Sequence, residues 1–161
     1  MKTQYQQGYT LIEMLLVLAL TAMVALAGGR GWQHYRQHAQ LEHTAVRIAD
    51  FLWRWQLAAS RGNHLYRVSV TRGHHWSIAA RLIPADGTPP ILLDQLDGPV
   101  DTIELDFSQF DCLTLAGIRN TATAGHLVIG NSAGRLKIIV SGKGRMRICS
   151  EQGRWAGVAP C

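Results

Sequence analysis

At 161 residues and 17.8 kDa the chain has single-domain size, which excludes an enzyme assembled from separate cofactor and substrate domains. Hydrophobic residues make up 47% and charged residues 17%, so apolar surface is ample for a core and disorder by composition is excluded. The net charge of +5 is uneven: residues 30–81 carry eight Arg against Glu42 and Asp50, residues 82–111 carry seven acids and no Lys or Arg, and residues 112–161 carry seven bases against Glu151. These blocks are expected on different parts of one surface.

After Lys2 and a short polar stretch, Tyr9–Ala27 is apolar except for Thr10, Glu13 and Thr21. As a helix this stretch reaches about 29 Å, close to the ~30 Å hydrocarbon core of a bilayer. Glu13 is costly there and needs a shallow position or a positive partner. Two processing schemes fit. In an ordinary secretory signal Lys2 is the charged region, Leu15–Leu20 the apolar region and Ala25-Leu26-Ala27 the cleavage site before Gly28. In the other scheme the cut falls after Gly8, and the apolar helix stays and begins at Tyr9.

Gly8-Tyr9-Thr10-Leu11-Ile12-Glu13 followed by an apolar run resembles the processing signature of type IV prepilins and type II secretion pseudopilins. The resemblance implies that a prepilin peptidase cuts after Gly8 and N-methylates Tyr9, which stands where Phe is commoner. It also implies that Glu13, fifth in the mature chain, pairs with the terminal amine of a neighbouring subunit. A buried carboxylate is tolerable when a cation is supplied beside it. On this pattern residues 1–8 are a leader and 9–31 a transmembrane and filament-core helix. Residues 32–161 form a periplasmic domain, anchored by a single pass in the inner membrane until assembly, with an amphipathic helix over 32–61 and a β-domain over 64–161.

Gly28, Gly29 and Gly31 interrupt the apolar segment and predict a flexible joint. Leu41, Ala45, Ile48, Leu52, Trp55 and Ala59 then recur at helical spacing, with Arg36, Gln40, His43, Arg47, Asp50 and Arg54 largely opposite. The stripe is expected to pack on a domain and the helix to end near Ser60-Arg61-Gly62. From His64 the period changes to two. Tyr66, Val68 and Val70, then Trp76, Ile78, Ala80 and Leu82, predict a hairpin about Thr71-Arg72-Gly73. Pro84–Pro90 reads as a loop. Short strands are predicted at Ile91–Leu96, Thr102–Phe107 and Cys112–Ile118, and a polar loop at Arg119–Gly125. A hairpin follows, His126–Gly130 and Arg135–Val140 about the four residues Asn131–Gly134, and then Gly142-Lys143-Gly144 turns into a last strand at Arg145–Cys149. One helix followed only by strands is an α+β plan, a helix packed on an antiparallel sheet or sandwich. Pilin-like proteins share it.

The C-terminal half resembles the GspH/FimT family of minor pseudopilins in Gly117–Ala122, Ala124-Gly125-His126, Asn131-Ser132 and Gly144-Arg145-Met146-Arg147-Ile148-Cys149; the likeness is weak over 82–112. Cys149 and Cys161 enclose a short C-terminal loop whose bridge would contribute roughly 3 kcal/mol in the chain-entropy model, and similar proteins have a terminal cysteine pair. An oxidising periplasm would preserve the bond. The alternative is three free thiols; Cys112 is expected to be a small core residue.

No catalytic motif is present, and neither enzyme activity nor a cofactor is expected. His34 and His38 have helical i, i+4 spacing, but no Cys or carboxylate completes a metal set; His74 and His75 would point to opposite faces of a strand. The acids of 82–111 lack ligand spacing and read as a solvated edge. Lys143, Arg145 and Arg147 alternate, so an extended strand would place them on one face; Arg154 lies nearby. They resemble the Gly-Arg-x-Arg motif with which DNA-uptake members of the family hold double-stranded DNA. Pairing of these arginines within the domain, for example with the acids of 82–111, is the alternative. Trp32 and Tyr35 fit a membrane interface or a core role, and Trp53, off the apolar stripe, fits a subunit contact or an exposed aromatic. The expected function is a minor pilin or pseudopilin acting at filament initiation or at the tip, with other pilins as partners. Alternatives are a DNA-binding minor pilin and a periplasmic binding domain released by an ordinary signal peptidase.

Overall fold

The structure, a computed structural model, describes residues 10–99, 102–108, 112–117 and 121–161; the side chains of 26–30 and 107–108 fall outside that description. Helix α1 spans Leu11–Gly62. Thr10 begins it: its carbonyl accepts from the amides of Glu13 and Met14 at 3.1 and 3.2 Å, and its hydroxyl from Glu13 N at 3.4 Å. This is the Thr-x-x-Glu start of a helix, with an acid beside the positive end of the dipole. The joint expected at Gly28–Gly31 is not a break, because the backbone there is helical throughout. Glycine lowers helix propensity without removing a backbone donor, so three glycines weaken a helix that proline would end. By compactness the chain divides between Arg36 and Gln37.

In the unit beginning at Gln37, α1 buries Leu41, Ala45, Ile48, Leu52 and Ala59, the residues the helical period selects. Thr44, Phe51 and Gln56 are buried beside them, widening the stripe to a full face. Trp55 is only half-buried, its ring 5.2 Å from that of Tyr66. The left-handed residue at the helix end is Asn63, at φ 53°, rather than Gly62; asparagine tolerates that conformation.

Among the described residues nine strands follow: β1 (Leu65–Thr71), β2 (Ser77–Ile83), β3 (Ile91–Asp97), β4 (Glu104–Ser108), β5 (Cys112–Ala116), β6 (Thr121–Ala122), β7 (Gly125–Asn131), β8 (Gly134–Val140) and β9 (Met146–Gln152). One sheet has the order β3-β2-β1-β5-β6 and the other β4-β7-β8-β9, and their strand pairs are antiparallel. The chain therefore leaves the first sheet for β4, returns for β5 and β6, and leaves again. The predicted β1–β2 hairpin is present, with Leu65 opposite Ile83 and Thr71 opposite Ser77. Asn131 pairs with Gly134, so the β7–β8 connection is the two residues Ser132 and Ala133 rather than four. The predicted polar loop contains β6. Arg119 and Asn120 of that loop, and Ile118, lie outside the described residues.

The core joins α1 to both sheets through Val68, Ile78, Leu113 and Leu115 on one side and Leu105, Leu127, Ile129, Leu136 and Ile138 on the other. Gly117 marks the tightest approach: a Cβ there would lie 2.1 Å from the carbonyl oxygen of Ala59 and 2.8 Å from Cα of Asn63. Any side chain would push the end of β5 off the helix.

Candidate assembly surfaces

The first candidate site is the stem. Leu11, Ile12, Leu15, Leu16, Leu18 and Met23 are exposed, Leu11 at 86%. Within this apolar run Glu13 occupies the first turn, and no cation among the described residues pairs with it. Gly8 and Tyr9, the expected cleavage and methylation positions, lie outside the described residues. The expected span over Tyr9–Ala27 therefore lies only partly within them. Among those residues no helix is long and apolar enough to cross a membrane. Trp32 and Tyr35 are exposed, 67% and 66%, with ring centroids 6.2 Å apart, which removes a core role for them within the chain; Trp53 is 56% exposed.

The second is the C-terminal loop. Cys149 and Cys161 form a disulfide. The loop returns along β9: Ser150 N donates to Ala159 O at 2.8 Å, and Cys161 N donates to Ser150 O at 3.0 Å. Between the cysteines, Trp155 is buried against α1; its ring stacks on His38 at 3.6 Å and its Nε1 donates to Gln152 O at 3.2 Å. The spacing of the cysteines pointed to the bridge, but nothing in the sequence linked Trp155 to His38, because the pairing is tertiary. Cys112 is exposed, not a core residue. The β5 alternation sends Leu113 and Leu115 inward and so turns Cys112 out.

The third is the basic end of β9. Lys143 lies in the turn before the strand and Arg145 just outside it, so the three cations do not share one strand face; Gly144, at φ 68°, makes the chain turn between them. Ser141 organises this turn, accepting from Gly144 N through its carbonyl and from Arg145 N through its hydroxyl. Arg145 and Arg147 line an open groove of about 430 Å³ with Ile139, Ser141 and Met146. Among the described residues no carboxylate pairs with Lys143, Arg145 or Arg147.

The acidic residues pair elsewhere. Asp106 meets Arg135 at 2.8 Å, Asp94 lies 4.0 Å from Arg54, Glu104 is 3.9 Å from His74, and Glu151 meets Lys137 at 2.7 Å. The acidic block is thus threaded among the basic ones rather than set apart, because strand pairing brings distant segments together. His74 and His75 sit in the β1–β2 turn and not on a strand. Among the described residues no group of three His, Cys, Asp or Glu is placed to hold a metal ion.

A long N-terminal helix packed on antiparallel sheets, with its apolar start exposed, is a pilin-like α+β fold, and residues 3–29 match the prokaryotic N-terminal methylation motif. The chain thus joins an N-terminal methylation motif to a pilin-like fold. Among solved structures it is similar to the type IV minor pilin FimU of Pseudomonas aeruginosa, with a TM-score of 0.53 and 17% identity over 67% of this chain and 91% of that one. No curated protein sequence matches the chain.

Proposed function

We propose that the chain is a non-enzymatic minor pilin or pseudopilin of the GspH/FimT group, similar to prepilin peptidase-dependent protein A. A prepilin peptidase cuts between Gly8 and Tyr9 and methylates the new amine. The subunit waits in the inner membrane as a single-pass protein with its domain in the periplasm. It then enters a type IV pilus or secretion pseudopilus at the initiating end or tip. The observation that carries this reading is the exposed apolar start of α1 with one carboxylate in its first turn that no cation among the described residues pairs with. Such a surface needs lipid or neighbouring stems around it, and the carboxylate needs a cation, which the methylated amine of an adjacent subunit supplies. Intact mass of the protein from its native membrane tests the proposal. Loss of residues 1–8 with one added methyl is expected; loss of 1–27 overturns it in favour of an ordinary signal peptide.

A second reading, double-stranded DNA held by Lys143, Arg145 and Arg147, is supported by the absence of carboxylate partners for them among the described residues. Affinity for duplex DNA, compared between wild type and Arg145→Glu/Arg147→Glu at two salt concentrations, tests it. A salt-sensitive loss in the variant is expected, and equal affinity removes the reading.

A further inference from the structure

β3 is the full-length open edge of its sheet. Among the described residues it pairs only with β2, and the opposite edge, β6, is two residues long. In the other sheet β4 is bridged by Gly73, and β9 is covered at Ser150 by Pro160. An uncovered edge rich in apolar residues is a template for strand addition. β3 has this character, with Ile91, Leu92 and Leu93 exposed at 51%, 52% and 44%. Its register opposite β2 places Leu92, Gln95 and Asp97 on one face with Arg81, Ala79 and Ser77. That face therefore presents an apolar residue followed by a carboxylate.

The start of β9 presents the complement. Ser150 directs its N–H and C=O outward to the C-terminal loop, so the two-residue period directs those of Ile148 and Met146 outward as well, beyond the reach of the Pro160 bridge. Beside this open backbone the groove offers Ile139 and Met146 as apolar surface and Arg145 and Arg147 as cations that no carboxylate among the described residues pairs with. Bare phosphate has no use for the apolar part, whereas a strand alternating apolar and acidic residues uses both.

We propose that β3 of one copy docks edge to edge on the Arg145–Ile148 segment of a second copy, with Leu92 in the groove and Asp97 at the two guanidiniums. Because the two surfaces differ, the contact is heterologous and propagates into a row rather than closing a symmetric dimer. This deepens the filament-subunit reading and rests on it.

The test uses the full chain in detergent micelles, with association followed by sedimentation velocity. Wild type is expected to associate with rising concentration. Asp97→Arg alone, or Arg145→Glu/Arg147→Glu alone, is expected to weaken association roughly tenfold. Mixing the two variants restores it, since each then meets an oppositely charged surface. In a Cys112→Ser background, Gln95→Cys is expected to cross-link to Lys143→Cys of a second molecule. Unchanged association in both variants, no restoration on mixing, or cross-linking of Gln95→Cys only to itself overturns the proposal. So does loss of duplex DNA binding in the arginine variant with association intact, which would assign the groove to nucleic acid. A protein processed after Gly8 that stays monomeric here overturns this contact alone and leaves the pilin reading standing.

Discussion

The imidazole of His38 lies stacked on the indole of Trp155, 3.6 Å between ring centroids, while His38 Nε2 is 3.1 Å from the carbonyl oxygen of Arg154. The loop between the two bridged cysteines thus grips α1 at the start of its packed half. Trp155→Ala is expected to destabilise the domain by about 3–5 kcal/mol, since it empties a buried aromatic site. His38→Ala removes mainly the ring pair, about 1 kcal/mol. Thermal or denaturant unfolding measures both, and a Trp155 variant as stable as wild type would refute the grip.

Breaking the Cys149–Cys161 bridge by a double Cys→Ser change is expected to cost about 2–4 kcal/mol. Hydrogen exchange at Ser150 and Cys161 should rise first, because the hydrogen bonds of their amides join the returning loop to β9.

Gly117→Ala places a methyl carbon against the Ala59 carbonyl and is expected to destabilise by about 1–3 kcal/mol, whereas Gly73→Ala meets no atom and is strained only by its positive φ. Melting temperatures of the pair separate crowding from backbone strain.

Glu13→Val leaves Gly8 and Tyr9 untouched, so leader removal is expected to continue at the wild-type rate while incorporation into filaments falls. Mass spectrometry and immunodetection on sheared filaments read the two steps separately. Wild-type incorporation of the variant removes the role given to the carboxylate.

Asp86 has its pKa lowered by the amide and then the hydroxyl of Thr88, which donate to Oδ1 at 3.1 and 2.8 Å. Its folded value is depressed, so the loop gains from the carboxylate above its unfolded pKa and loses that gain as pH falls through the folded one. Thr88→Val, which keeps the amide and removes the hydroxyl, is expected to raise the Asp86 midpoint part of the way toward the ordinary value in an NMR titration; an unchanged midpoint counts against the hydroxyl as a cause.

Period and punctuation made much of this fold legible. Leu41, Ala45, Ile48, Leu52 and Ala59 are all buried as their spacing requires, and Tyr66 to Leu82 form the expected hairpin. Trp55, on the same stripe, packs at the edge of the core and is half-buried, whereas Cys112 is exposed where a core residue was expected. Spacing selects a face, but how deep a residue sits on it depends on the elements packed alongside. The turn at Gly142-Lys143-Gly144 was legible from its glycines; alternation of Lys143, Arg145 and Arg147 nonetheless suggested one shared strand face, which the positive φ of Gly144 breaks. At the stem the motif was legible because it is contiguous. The groove beside β9 needs Ile139 from a neighbouring strand and had no linear signature.

The route of the chain between sheets has its own consequence. β5 depends on β1 and β4 on β7, so no single break between β1 and β7 yields two fragments that each keep all their strand partners. The domain is braided rather than modular. A segment carrying both β3 and β4 contributes one strand to each sheet, so it cannot be exchanged as a cassette without disturbing both.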